Sequence, residues 1–300
     1  MTAIVAQLFP VFAGLLVGYV LYLQGVAGRA DGDFLFKVCY YVCTPALSFS
    51  TLATVKITEH LLVFPLAAFG IFTALYVAGW VAGKRFGLSG VRRPTFLLAC
   101  MIINSGFVLP FAQAIYGDEG VARIVMFQLV NQFLTFGVGY AVAAHSNPNH
   151  HGSLGLAKKV LFSPPLFGVI SGLLVNACGW TVPSALMNGA NLFGGATVFV
   201  LTIATGILFN PTRNDFFLTV KVIVIRLICG LMVGALVIVG FDLCGIDRVL
   251  VLMLSLSPVA FNAVTFASME ELDAPFAAGA LSISLLFSLV LTITVAVLFA

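Results

Sequence analysis

At the centre of one long apolar run the sequence reads Cys100-Met-Ile-Ile-Asn-Ser-Gly-Phe-Val-Leu-Pro110, with three small or polar residues and a proline interrupting it. A second run reads Leu254-Ser-Leu-Ser-Pro-Val-Ala-Phe-Asn262. Proline removes a helix hydrogen bond, and Asn or Ser can replace lost backbone partners. Both runs are therefore predicted to be broken helices. In the second, Ser257-Pro258 is predicted to restart the helix as N-cap and first helical residue.

The composition places both runs in a membrane. Of 300 residues, 61% are apolar and 8% are charged, whereas an ordinary soluble domain carries about a quarter charged residues. The runs lack the strict alternation of a transmembrane barrel, so an all-α membrane protein is predicted. Ten segments are long enough to cross a hydrocarbon layer of roughly 30 Å. They are 3–23, 34–53, 60–83, 94–116, 121–144, 157–178, 187–209, 216–240, 248–268 and 275–299. The first lacks a positive charge and is expected to be a span, not a cleaved signal.

Lysine and arginine predict the orientation, because they accumulate on the cytoplasmic side of membrane proteins. Eleven lie after the odd-numbered segments or early in the eighth, and three lie on the other side. This bias predicts that both termini lie outside the cytoplasm, and the short loops favour a bacterial inner membrane. One loop argues against this orientation, since Glu270, Glu271 and Asp273 have no basic partner there.

The two halves of the chain resemble each other at a nearly constant offset. Gly14 and Gly18 in the first segment match Gly168 and Gly172 in the sixth. A repeat of five spans is odd, so its second copy must be inverted in the membrane. Inverted repeats are typical of secondary transporters, which bind substrate near the bilayer midplane.

The two breaks fit the same repeat, because Asn104 in the fourth segment corresponds to Ser257 in the ninth. Residues 1–144 and 157–300 are therefore predicted to be two inverted repeats of five helices. A short cytoplasmic linker over 145–156 joins them. Its adjacent histidines, His150 and His151, are expected to be solvated, with a metal site as the less favoured alternative.

Other polar residues at membrane depth are candidates for a ligand site or for contacts between helices. For Asn131 the two roles carry equal weight, and Asn262 follows the second break. Ser48 and Thr265 are expected mainly to bond the backbone. No Asp or Glu lies at the centre of a segment, so no carboxylate proton relay or acidic sodium site is predicted. Arg226 is expected to extend to the cytoplasmic surface, with attraction of anions as the alternative.

A helix that restarts inside the membrane points unpaired N–H groups and a positive dipole end into the protein, where they can hold an anion. A proline kink that only shapes packing is the simpler alternative. No Ser-His-acid set, phosphate loop or metal-ligand spacing stands out, so neither an enzyme nor a metal or cofactor is predicted. The net charge of +3 forms no basic stripe, which argues against nucleic-acid binding. The six cysteines are expected to be packing residues.

These motifs resemble those of the auxin efflux carrier family in its short bacterial form. The resemblance spans all ten segments and rests on Thr44-Pro-Ala-Leu-Ser-Phe49, on the first break with its proline, and on the second break. It implies the fold of the bile acid–sodium symporters, in which the fourth and ninth helices are broken and cross. A transport (core) domain would move as an elevator against a scaffold (panel) domain, often at a dimer interface.

The resemblance also implies a site. Ser48 matches the polar residue after the proline of the second span, and Asn104 matches the asparagine at the first break. Pro110 and Pro258 match the prolines of the helix crossover. The predicted substrate site comprises Ser48, Asn104, Ser105, Gly106, Asn131, Ser257 and Asn262.

The predicted function is secondary transport of a small organic anion, such as a dicarboxylate or an auxin-like carboxylate, by a homodimer in the lipid bilayer. Two alternatives are kept. One is a sodium-coupled symporter of amphipathic, bile-acid-like anions, and the other is a membrane receptor that binds its ligand without moving it. A coupling ion, H⁺ or Na⁺, is not assigned by the sequence.

Overall fold

The computed structural model describes residues 2–55, 59–147, 164–209 and 215–299. Most of the predicted linker over 145–156, including the histidines at positions 150 and 151, lies outside these residues. The described residues form thirteen α-helices, with π turns at Cys39–Cys43 and Thr135–Gly139 and a 3-10 turn at Glu59–Leu62. The helices are α1 (Thr2–Leu23), α2 (Arg29–Val38), α3 (Thr44–Thr54), α4 (Val63–Arg85), α5 (Arg92–Met101), α6 (Ser105–Leu134), α7 (Tyr140–His145), α8 (Pro164–Cys178), α9 (Ser184–Leu208), α10 (Phe216–Gly240), α11 (Gly245–Ser255), α12 (Phe261–Met269) and α13 (Ala274–Phe299).

Helix α6 contains a reversal of the chain at Gly117, whose backbone has φ 57° and ψ −141°. Glycine adopts a positive φ without a steric penalty because it has no Cβ. Beyond the reversal, a Cβ on Gly120 would collide with the carbonyl oxygen of Ala112. A continuous helix would separate these two residues by about 12 Å. The chain therefore turns back between the predicted segments 94–116 and 121–144.

Five segments of the described chain are long and apolar enough to cross a membrane. They are His60–Arg85, Ser105–His145, Ser184–Leu208, Phe216–Gly240 and Ala274–Phe299. Phe9–Leu23 and Pro164–Cys178 are shorter apolar helices. The predicted ninth segment is divided into the short helices α11 and α12, and the second is interrupted by a π turn. The all-helical membrane class is confirmed, whereas the count of ten spans and the inverted repeat stay predictions.

The chain packs as two compact units, and each unit draws on both halves of the sequence. The first unit contains α1–α3, the segment Leu109–Val125 of α6, α8 and α9. The second unit contains α4, α5, the remaining parts of α6, α7 and α10–α13. The breaks predicted in the fourth and ninth segments both belong to the second unit.

Close helix crossings through glycine hold the first unit together. A Cβ on Gly18 of α1 would collide with the carbonyl oxygen of Ile203 on α9. A Cβ on Gly168 of α8 would likewise collide with the carbonyl oxygen of Pro45 on α3. Small residues let helix backbones approach closely, which favours association where lipid removes the hydrophobic driving force between helices. The glycine pairs identified in the sequence therefore have a packing role.

At one end of the second unit, Arg92 ties together the starts of three helices. Arg92, at the start of α5, binds the carboxylates of Asp215 before α10 at 2.9 Å and of Asp273 before α13 at 3.3 Å. Asp273 also caps α13 by accepting from the N–H of Phe276 at 3.2 Å. From the sequence, the loop of Asp273 was expected to have no basic partner. That expectation is wrong for Asp273, whose partner Arg92 comes from a distant part of the chain.

Gly168→Ala is expected to lower the melting temperature of the detergent-purified protein by roughly 5 °C, because its methyl group overpacks the crossing with α3. Gly195→Ala on α9 is the matched control, since a Cβ there meets no described atom within 4 Å. Thermal unfolding of both variants checks the prediction. Equal melting temperatures for the two variants would contradict the close crossing.

Candidate functional site

Both predicted breaks are present in the second unit. Residues 102–104 separate α5 from α6, and residues 256–260 separate α11 from α12. Ile103 pairs with Val259 in an isolated antiparallel bridge between the two extended stretches. The N–H of Asn104 donates to the carbonyl oxygen of Pro258 at 3.3 Å. The two interrupted helices therefore meet at their breaks, and this meeting point is called the crossover below.

The second helix does not restart at Ser257-Pro258, so that prediction is wrong. Its N-cap is Ala260, with an extended backbone at φ −88° and ψ 153°, and its first residue is Phe261. A residue that precedes proline is pushed out of the helical region, and the stretch stays extended until Ala260. The two N-caps are thus Asn104 and Ala260. As N-caps of the restarted helices, Asn104 therefore corresponds to Ala260 and not, as predicted, to Ser257.

Asn104 joins the two breaks through its side-chain amide. Its Oδ1 accepts a hydrogen bond from the N–H of Phe107 at 3.1 Å, which caps α6. Its Nδ2 donates to the carbonyl oxygen of Val259 at 3.5 Å. The first N–H groups of a helix have no partner within the helix, so this cap satisfies one of them. Asn104 and Gly106 are half-buried, whereas Ser105 between them is buried.

Asn131 lies in the part of α6 that follows Gly117 and forms a hydrogen bond to the first break. Its Nδ2 donates to the carbonyl oxygen of Ile103 at 3.1 Å. Its Oδ1 is buried and has no hydrogen-bond partner among the described residues. The same holds for Oγ of Ser257 in the second break. Buried polar atoms without partners are rare in native proteins, so these two oxygens mark places where a water or a ligand can bind.

Arg226 is the largest departure from the sequence analysis. It is 4% exposed, so the prediction that it extends to the cytoplasmic surface is wrong. Its Nη1 donates to the carbonyl oxygens of Ala99, Cys100 and Ile102 at 3.1, 2.7 and 2.9 Å. Its Nη2 donates to those of Ser257 and Pro258 at 3.0 and 2.8 Å. One guanidinium group therefore binds the backbone of both breaks.

The electrostatics of the crossover follow from this contact. Carbonyl groups at the C-terminal end of a helix carry partial negative charge, and Arg226 neutralises it at the end of α5. Within the described residues, no carboxylate forms an ion pair with Arg226. The restarted helices α6 and α12 begin at the crossover with the positive ends of their dipoles. Positive charge therefore dominates the site.

Serine side chains from α13 complete the surroundings of the second break. The N–H of Val259 donates to Oγ of Ser284 at 3.0 Å. Ser284 and Ser288 line a small pocket together with Arg226, Ser255 and Ser257. The sequence analysis missed these serines. Their signal was the four-residue spacing of Ser284, Ser288 and Thr292, which puts three buried hydroxyl residues on one face of a helix.

The other predicted site residues lie outside this cluster of contacts. Asn262 is half-buried in the first turn of α12, and Thr265 donates to the carbonyl oxygen of Phe261 at 3.2 Å, as expected. Pro110 lies inside α6, five residues beyond Ser105, and not in the break. Ser48 is buried within the first unit, so its part in a site at the crossover stays a prediction.

Asn131→Leu is expected to lower the free energy of unfolding by about 1–3 kcal/mol, because the buried carbonyl of Ile103 loses its donor. Gln132→Leu, one position further along the same helix, is the control because it removes a half-buried amide without that contact. Thermal unfolding of both variants measures the difference. An Asn131→Leu variant as stable as the control would show that the amide does not support the break.

Comparison with known proteins agrees with a transport role. The sequence profile of a family described as membrane transport protein matches residues 3–296. The chain is 25% identical over 286 residues to an uncharacterized transporter of Methanothermobacter thermautotrophicus, covering 92% of each chain. It is 24% identical over 285 residues to an uncharacterized transporter of Methanocaldococcus jannaschii, again with 92% of each chain covered. The chain therefore belongs to the membrane transport protein family, which groups transporters similar to the auxin efflux carriers.

Proposed function

We propose that this membrane transporter is a secondary carrier of a small organic anion, such as a dicarboxylate or an auxin-like carboxylate, and binds it at the crossover. The observation that carries the proposal is the positive character of the crossover. A buried arginine and the starts of two helices meet there, and among the described residues no carboxylate pairs with that arginine. An anion gains from both the fixed charge and the helix dipoles.

The proposed carboxylate would accept hydrogen bonds from N–H groups in the first turns of α6 and α12. Asn104 is half-buried between the breaks, so its amide is the side chain best placed to contact the substrate as well. The proposed site would also include Ser105, Gly106 and Asn262, which would contact the carboxylate through their backbone or line the rim of the site. Asn131 and Ser257 each offer a buried oxygen that lacks a partner among the described residues, for a hydroxyl group or a bridging water.

Alternating access by an elevator movement is part of the same proposal. Every hydrogen bond given above for Arg226, Asn104 and Asn131 stays within the second unit. The second unit would therefore carry the crossover as one body, with the first unit as the scaffold of a homodimer. Two inverted repeats of five spans would supply the symmetry that alternating access requires.

The proposed orientation places both termini outside the cytoplasm of a bacterial cell. Arg226 is buried and no longer counts as a loop charge, but ten basic residues against three keep the bias. In the loop that argued against this orientation, one of the three acidic residues, Asp273, forms an ion pair with Arg92.

Asn104→Ala is expected to abolish exchange of labelled carboxylate in proteoliposomes, because both breaks lose their shared amide. Asn191→Ala, which truncates an exposed asparagine of α9, is the matched control and should exchange at the wild-type rate. The same thermal unfolding profile for both variants would exclude a folding defect. Exchange at the wild-type rate by the Asn104→Ala variant would refute the proposed site.

Binding is expected to be selective for an organic carboxylate and independent of sodium. A ligand that binds only the folded state raises the melting temperature with the logarithm of its concentration. A panel of dicarboxylates and aromatic acids, each tested in sodium and in potassium, would identify the substrate class. A shift that requires sodium would favour the symporter of amphipathic anions. Ligand binding without counterflow across a sealed membrane would favour a receptor.

A further inference from the structure

Arg226 makes three hydrogen bonds to the first break region and two to the second. Nη1 binds only carbonyl oxygens of the first break region, and Nη2 binds only carbonyl oxygens of the second. The five N···O distances run from 2.7 to 3.1 Å, which is the range of well-formed hydrogen bonds. Arginine suits this task because its planar fork presents two separate nitrogen atoms, whereas lysine presents one.

Close packing of α10 brings Arg226 to this position. Gly230 and Gly234 follow it at intervals of four residues, so the three residues share one face of α10. A Cβ on Gly230 would collide with the carbonyl oxygen of Ser255, and a Cβ on Gly234 with the Ser255 hydroxyl. The two glycines therefore hold α10 against the end of α11, one turn from the arginine.

Carbonyl oxygens that converge from unwound helices can bind a cation. In many carriers with broken helices, such carbonyls and the C-terminal ends of half-helices coordinate the coupling sodium ion or proton. Here the converging oxygens already surround a guanidinium group that is covalently attached to the chain. A mobile cation would have to compete with it for the same oxygens.

We propose that Arg226 is a built-in cation that replaces a bound metal ion at the crossover, so that the two breaks assemble without sodium. The inference deepens the proposed function, since it explains how an anion carrier can keep a positive site without a coupling cation. The tests of this inference measure the stability of the folded protein and not transport. The inference can therefore fail or succeed separately from the proposed substrate site.

The first test is the wild-type protein without substrate, purified in detergent and unfolded in sodium, potassium or N-methylglucamine chloride at equal ionic strength. We expect the same melting temperature in all three salts. A higher melting temperature specific to sodium would overturn the proposal, because it would reveal a metal ion that binds the folded state.

The second test removes the built-in cation. Arg226→Ala is expected to lower the melting temperature by roughly 10 °C, and methylguanidinium at millimolar concentration should recover part of this loss. Methylurea, which is similar in shape but uncharged, should recover none of it. Lys221→Ala is the control, because it removes an exposed positive charge from the same helix and should change little.

If the Arg226→Ala variant does not yield folded protein, the Arg226→Lys variant tests the proposal instead. Lysine keeps the charge but presents one nitrogen atom, so the Arg226→Lys variant should be clearly less stable than the Lys221→Ala variant. A lysine variant as stable as the wild type would overturn the role of the two-nitrogen bridge. Recovery of the Arg226→Ala variant by methylurea as much as by methylguanidinium would mean that the arginine only fills space.

Discussion

Two helices of this protein are broken inside apolar segments, and the crossover depends on the contacts that satisfy the backbone groups left without helical partners. An unpaired carbonyl or N–H group in a membrane costs several kcal/mol, on the order of a lost hydrogen bond in an apolar medium. Arg226 supplies N–H donors to five carbonyl oxygens, and Asn104, Asn131 and Ser284 pair with further backbone groups. Irregular backbone persists at membrane depth only where it is buried with such partners or lines a water-filled cavity.

The same contacts determine the chemistry that the crossover can support. The carbonyl oxygens at the end of α5 and in both breaks bind the guanidinium group of Arg226, whereas the proposed carboxylate would use N–H groups in the first turns of α6 and α12. A site built in this way offers positive partial charge and hydrogen-bond donors, which suit a carboxylate. Close approach of helices through glycine makes the arrangement possible, because Gly230 and Gly234 bring α10 against α11 near Arg226.

Sequence reasoning succeeded where the signal was local. Proline and polar residues inside an apolar run predicted both breaks, and the predicted segment 216–240 coincides with Phe216–Gly240. It failed where the answer depended on a distant partner. Arg226 was expected at the surface because its acceptors lie in two other segments of the chain. Asp273 was expected to lack a basic partner because Arg92 lies almost two hundred residues earlier.

The sequence by itself determined that the protein is a helical membrane protein and that two of its helices break. Hydropathy, helix length and proline geometry act over a few residues and need no knowledge of neighbours. Only the tertiary structure decided which backbone stretches meet, where the second helix restarts, and that a buried arginine holds the breaks together. These features depend on hydrogen bonds between residues up to 155 positions apart, and packing alone brings such residues within 3.5 Å of one another.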